Sequence, residues 1–170
     1  MKLNGIILLV DDSLTMMKIL FKQVTKILCP APLQWSEALR SIASEDWQQT
    51  GFVIVNRAGW GIVCAANGRV AYDIVKKTAV RATITDHEMP CMTGLDLITF
   101  IRNLERKESR PRMSIALNTA RSAAEITLQE SSDIDLYLLK GERSDLSPFF
   151  AKIIPHTAVD ILGLPIALVL

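Results

Sequence analysis

The chain has 170 residues and a nearly balanced charge, with 19 lysine and arginine residues against 18 acidic ones. This length suits one ordinary domain with a substantial core. A content of 49% hydrophobic and 22% charged residues indicates a globular chain and excludes a disordered one. Because the net charge is only +1, we expect no nucleic-acid binding and no membrane insertion.

The cysteines indicate the compartment. Cys29, Cys64 and Cys91 form no Cys-x-x-Cys pair, and the N-terminus lacks the features of a signal peptide. An odd number of unpaired cysteines is typical of reduced thiols, so we predict a cytoplasmic location. The apolar segment 155–170 is interrupted by Asp160 and Pro165 and is shorter than the ~20 residues of a membrane-spanning helix. We predict that it is a packing segment or a tail.

Short apolar runs alternate with segments of helical periodicity. Strands are predicted at 6–10, 61–66, 82–85, 114–117 and 136–139. Helices are predicted after Ser13, at 68–77, 94–104 and 123–129, and from a Ser147 cap and Pro148 onward. This order predicts an α/β fold, a doubly wound five-stranded parallel sheet with right-handed crossovers.

Residues 29–60 interrupt the alternation between the first helix and the second predicted strand, and they contain all three tryptophans. A long structureless loop is uncommon inside a compact domain. We therefore predict a small structured insertion, with a helix around 35–47 and a strand at 52–55. The domain would span 1–154, followed by the tail 155–170.

Polar residues follow four of the predicted strands. Asp11 and Asp12 follow the first, Asp86 the third, Thr119 the fourth and Lys140 the fifth. Because the carboxyl ends of parallel strands meet at one edge of the sheet, these side chains should converge. Three converging carboxylates repel one another unless a hard divalent cation neutralises them. A lysine and a hydroxyl beside them would bind phosphoryl oxygens, so one carboxylate could form an aspartyl phosphate.

The run Asp86-His87-Glu88-Met89-Pro90-Cys91-Met92-Thr93-Gly94, together with these strand-end residues, resembles the receiver domain of two-component response regulators. It is most similar to the receivers of hybrid histidine kinases. The resemblance covers roughly residues 5–28 and 61–154 and implies a flavodoxin-like receiver fold. The site residues that it implies are Asp86 as phosphoacceptor, Asp11, Asp12, Asp86 and the backbone carbonyl of Glu88 as ligands of Mg²⁺, Thr119 and Lys140 as phosphoryl-binding groups, and Tyr137 as the switch aromatic.

The resemblance also implies a function. Asp86 would take a phosphoryl group from a phosphohistidine on a histidine kinase or a histidine phosphotransfer protein, and the charge added would change the binding of a downstream protein partner. Such a domain is not a conventional enzyme, although it assists its own phosphorylation and dephosphorylation.

The sequence departs from the family pattern at two positions. Asn118 is polar where receivers have an apolar residue, so alignment on Ala120 selects Thr119 as the phosphoryl-binding residue, whereas alignment on strand register selects Asn118. Gly141 stands where receivers usually have a cis proline, and without proline a cis bond costs ~3 kcal/mol. Lys140 is therefore expected to be less firmly aimed.

Two other functions are compatible with the residues. A pseudo-receiver would keep the fold as a phosphorylation-independent protein-interaction module. A magnesium-dependent phosphatase-like hydrolase also forms an aspartyl phosphate. It would need an aspartate as general acid two residues after Asp86, and that position is Glu88.

Overall fold

In the computed structural model, the described residues are 5–28, 52–55 as backbone, 60–120, 132–140 and 145–154. The strands are β1 (Gly5–Val10), β2 (Phe52–Val55), β3 (Trp60–Ala65), β4 (Val80–Asp86), β5 (Ser114–Thr119) and β6 (Leu136–Leu139). The helices are α1 (Leu14–Leu28), α2 (Gly68–Lys77), α3 (Gly94–Glu108) and α4 (Ser147–Ile153). In this described part, no helix is both long and apolar enough to cross a membrane.

The strands form one sheet in the order β2-β3-β1-β4-β5-β6. Strands β3, β1, β4, β5 and β6 are parallel neighbours, which confirms the predicted five-stranded parallel sheet. The strand predicted within the insertion is also present: β2 pairs antiparallel with β3 and adds a sixth strand at the edge. The helices predicted at 35–47 and 123–129 lie outside the described residues.

Helices cover both faces of the sheet. In β1, Ile7 and Leu9 belong to the hydrophobic cluster that includes residues of α1 and α4, whereas Leu8 and Val10 belong to the cluster with α2 and α3. All six residues of β1 are buried. The continuous apolar run in the sequence is therefore that of a central strand buried on both faces.

Several predicted boundaries were wrong, among them the end of α3, the start of α4 and the start of β3. Helix α3 continues to Glu108, past the predicted end at 104, and terminates at Ser109 in the left-handed conformation (φ 51°). Ser147 is the first residue of α4, and its N–H donates to Asp145 Oδ1 at 2.9 Å, so Ser147 is not the cap. Trp60 is the first residue of β3 and is buried in the core rather than in the insertion.

A buried ionic network connects α3 to the amino-terminal ends of β5 and β6. Arg102 has a side chain only 3% exposed and donates to both carboxylate oxygens of Glu105 at 3.1 and 2.9 Å. It also donates to the carbonyl oxygens of Met113 at 2.8 Å and Asp133 at 2.7 Å, and lies 3.4 Å from an Asp135 oxygen. One side chain thus holds α3, the start of β5 and the segment before β6 together.

Candidate functional site

Three carboxylates meet at the carboxyl edge of the sheet. Asp11 and Asp12 follow β1, and Asp86 ends the neighbouring strand β4. Each side chain offers an oxygen that lies within 4.8 Å of those of the other two. Asp11 and Asp86 are buried, and Asp12 is exposed. The structure therefore brings together the acidic residues that their strand-end positions led us to expect.

Asp11 lacks a full set of partners for its charge. Its Oδ1 accepts the Ser13 N–H at 2.8 Å, whereas its buried Oδ2 has no hydrogen-bond partner among the described residues. Burial, followed by the charges of Asp86 and Asp12, raises the pKa of Asp11 to about 6, although the Ser13 N–H and Lys140 oppose this. An orphaned carboxylate oxygen inside an acidic cluster fits a hard divalent cation such as Mg²⁺.

Lys140 reaches the cluster from the far side of β5. Its Nζ lies 2.6 Å from Asp86 Oδ1, and its backbone N–H donates to the Thr119 carbonyl at 2.9 Å. Because β5 separates β4 from β6, this ion pair crosses the carboxyl end of β5. The ammonium of Lys140 thus contacts Asp86 directly. Gly141 lies outside the described residues, so the expectation that Lys140 is less firmly aimed stays a prediction.

Thr119 is buried at the end of β5, and its hydroxyl lies 3.1 Å from His87 Nδ1. The backbone N–H of His87 donates to the Asn118 carbonyl at 2.9 Å. The sequence analysis assigned no role to His87 and missed this contact. The signal was its position: a polar residue directly after Asp86 enters the same strand-end layer as Thr119.

Asn118 lies directly opposite Asp86 in the β4–β5 register. Paired residues of parallel strands project to the same face of a sheet, so both side chains share one face. Asn118 is 4% exposed, and its buried Nδ2 has no hydrogen-bond partner among the described residues. The alignment on strand register selected Asn118, and Asn118 is thus the residue that shares the face of Asp86.

The turn after β4 fixes the backbone around Asp86. The Gly94 N–H donates to the His87 carbonyl at 2.8 Å, and a Cβ at Gly94 would overlap the Asp86 carbonyl oxygen. Glycine is therefore required for this close approach. Glu88 is exposed, and its N–H lies 3.4 Å from Asp86 Oδ1. Tyr137 is half-buried against the cluster of α2 and α3, on the opposite face from Asp86.

Comparisons with known proteins identify the fold. No known family model matches the chain. The chain is 29% identical over 100 residues to a chemotaxis protein CheY homolog of Campylobacter jejuni, covering 58% of this chain and 70% of that protein. The response regulator protein TrrA of Thermotoga maritima, solved in complex with Mg²⁺-BeF, is 24% identical, with a TM-score of 0.54 over 91% of this chain and 100% of that one. The fold is that of a response-regulator receiver domain.

A second solved receiver agrees. A chain from the co-crystal structure of the Saccharomyces cerevisiae histidine phosphotransfer protein Ypd1 and the receiver domain of its downstream response regulator Ssk1 is 19% identical. Its TM-score is 0.55, over 89% of this chain and 86% of that one. In the receiver fold of the present chain, the carboxylate cluster lies where open parallel sheets bind ligands, outside the carboxyl ends of the strands.

A cavity of about 540 Å³ opens at the other edge of the receiver fold, between the end of α2 and the starts of β4 and β5. Its basic lining residues include Arg110, which donates to the Val75 and Lys76 carbonyls at the end of α2. Basic side chains at helix ends offset the helix dipole. None of the cluster carboxylates lines this cavity, so it is not part of the candidate site.

Replacing Asp11 with asparagine should stabilise the metal-free domain at neutral pH. The pKa of Asp11 is raised from 3.8 to about 6 in the fold, so its contribution to stability is lost as the pH rises through that range. In chelator, thermal midpoints of Asp11→Asn should exceed those of the wild type at about pH 7.5 and approach them at about pH 4. A wild-type pH profile parallel to that of Asp11→Asn would contradict the electrostatic account. The control is Asp73→Asn, at a partly exposed aspartate of α2.

Proposed function

We propose that this chain is a phosphoacceptor receiver domain of a two-component phosphorelay, with Asp86 as the acceptor. The observation that carries the proposal is the environment of Asp86. Its carboxylate is 2% exposed, lies within 4.8 Å of the oxygens of two further carboxylates, and pairs with Lys140 at 2.6 Å. Such a set of groups suits the binding of a cation and the transfer of an anionic group to one of the carboxylates.

The transfer balances as an in-line displacement at phosphorus. An Asp86 oxygen forms the new P–O bond while the P–N bond to a donor imidazole breaks, and the electron pair of that bond stays on the imidazole nitrogen, which takes up a proton from solvent. The Lys140 ammonium is placed to hold a phosphoryl oxygen by a charge-assisted hydrogen bond. Asp11, Asp12, Asp86 and the Glu88 carbonyl would hold Mg²⁺, which supplies positive charge to phosphoryl oxygens when bound.

Phosphorylation would change the structure at the end of β5 and in β6. In the unphosphorylated domain, the Thr119 hydroxyl contacts His87; after transfer it would turn to the phosphoryl group, and Tyr137 would change its packing. The Ypd1–Ssk1 co-crystal structure supports a histidine kinase or histidine phosphotransfer protein as the donor, with a downstream protein as the reader. The free thiols of Cys64 and Cys91 agree with a cytoplasmic location.

Incubation with acetyl phosphate tests this function. The intact mass should increase by one phosphoryl group in the presence of Mg²⁺ and should not change when the metal is chelated, because the cluster then repels the incoming anion. A pseudo-receiver would show no mass increase under either condition. That result, with the fold intact by circular dichroism, would leave a protein-interaction module as the function.

Replacing Lys140 with methionine should separate phosphorylation from its structural consequence. The fold and Mg²⁺ binding should be largely preserved, because Lys140 is partly exposed and contacts Asp86 through its terminal ammonium. The change in amide exchange that beryllofluoride, a phosphoryl mimic, induces around Thr119 and Tyr137 should be lost, since the charge-assisted contact is absent. Lys107→Met on the exposed end of α3 is the control. An undiminished beryllofluoride response in Lys140→Met would rule out this role.

A further inference from the structure

Asn118 has three features for which no role has been assigned. It is 4% exposed, it lies opposite Asp86 in the sheet register, and its buried Nδ2 has no hydrogen-bond partner within the described residues. A buried amide donor without a partner costs folding free energy, and nearly all buried donors in proteins have one. An orphaned donor at this position therefore points to a partner that arrives later.

The direction of the Asn118 side chain follows from the alternation along β5. Ala116 packs in the cluster with α1 and α4, and Leu117 packs in the cluster with α2 and α3. Asn118 therefore projects to the α1–α4 face, as does Asp86, which follows Ile84 of the same cluster in β4. Thr119 continues to the other face, where its hydroxyl contacts His87.

The Lys140–Asp86 ion pair shows where Asn118 lies relative to the groups that would contact a phosphoryl group. Strand β5 lies between β4 and β6, so an ion pair 2.6 Å long between residues from the flanking strands spans the end of β5. Asn118 lies beside Asp86 and opposite Leu138 in this layer. Its amide is thus on the same face as the two groups that would contact a phosphoryl group.

We propose that Asn118 is a further phosphoryl-binding residue, whose Nδ2 donates a hydrogen bond to an oxygen of the phosphoryl group carried by Asp86. This inference rests on the proposed function. In the unphosphorylated domain the donor is unpaired, and in the phosphorylated domain it gains an anionic acceptor, which forms a stronger hydrogen bond than a neutral one. Asn118 would thus stabilise the phosphorylated form selectively, before or together with the movement of Thr119.

Asn118→Leu should stabilise the unphosphorylated domain and destabilise the phosphorylated one. Asn118→Leu removes the donor and keeps a side chain of similar size, so the metal-free, unphosphorylated domain should have a higher thermal midpoint than the wild type. With Mg²⁺ and beryllofluoride, the further rise in midpoint should be smaller than in the wild type. The half-life of the acyl phosphate formed from acetyl phosphate should shorten by about tenfold, the size expected for a lost hydrogen bond to a charged group.

Thermal melting and acyl-phosphate decay of the wild type, Asn118→Leu and Asn103→Leu test this proposal. Asn103 lies on the exposed side of α3, so Asn103→Leu controls for the substitution itself and should keep the wild-type half-life. Equal beryllofluoride responses and half-lives in the wild type and Asn118→Leu would overturn the role of Asn118 while leaving the proposed function intact. A lower metal-free midpoint in Asn118→Leu would also overturn it, because the amide would then already be paired. Absence of any response in the wild type would instead refute the proposed function, and with it this inference.

Discussion

Replacing Arg102 with methionine is expected to lower the free energy of unfolding by about 3–5 kcal/mol, the usual cost of removing one partner from a buried ionic network. The substitution keeps an aliphatic side chain but removes the hydrogen bonds to Glu105 and to the Met113 and Asp133 carbonyls. It leaves the Glu105 carboxylate buried, with the Met113 N–H as its remaining donor at 2.7 Å. Urea unfolding followed by circular dichroism measures the loss.

Arg106→Met is the matched control for this prediction. Arg106 lies one turn later on α3, is exposed, and donates to Asn103 on the surface. Its replacement should change the free energy of unfolding by no more than about 0.5 kcal/mol. If Arg102→Met also lost less than about 1 kcal/mol, the network would be incidental to stability and the account of how α3 is anchored would be wrong.

Replacing Asp86 with asparagine should abolish phosphorylation while leaving the domain folded. An amide is too weak a nucleophile to form the acyl phosphate, and the remaining carboxylates Asp11 and Asp12 lack the contact with Lys140 that Asp86 makes. In the intact-mass assay with acetyl phosphate and Mg²⁺, we expect no phosphorylated species.

Asp73→Asn is the control for Asp86→Asn. Asp73 is partly exposed on α2, where it pairs with Arg69 and Lys76, and its replacement should leave phosphoryl uptake unchanged. Uptake by Asp86→Asn at the wild-type rate would show that another residue accepts the group. The receiver mechanism would then be wrong for this chain, even though the fold is that of a receiver domain.

The sequence predicted most of the fold because its signals were strong and local. The buried run of β1 and the start of α3 at Gly94 each follow from a short pattern. Boundaries failed where a tertiary contact overrode the local pattern. Helix α3 runs on past residue 104 because Arg102 and Glu105 are anchored in the core, and Trp60 was grouped with the insertion although it packs in the core from β3.

The candidate site was predicted as a set of residues but not as a geometry. Strand-end positions were enough to expect that Asp11, Asp12 and Asp86 converge. The contact of His87 with Thr119 and the orphaned amide of Asn118 depend on which face each residue of β5 takes at its end. That assignment requires the register of β4 against β5, which a single sequence does not specify.

Locating the phosphoryl group tests the central claim most directly. The wild-type domain is phosphorylated with Mg²⁺ and a phosphohistidine donor, reduced with borohydride and digested, and its peptides are analysed by mass spectrometry. Borohydride reduces an acyl phosphate to an alcohol and leaves a phosphohistidine unreduced. The account predicts one reduced residue, at position 86. A phosphoryl group found on His87, or on a residue outside the carboxylate cluster, would contradict it.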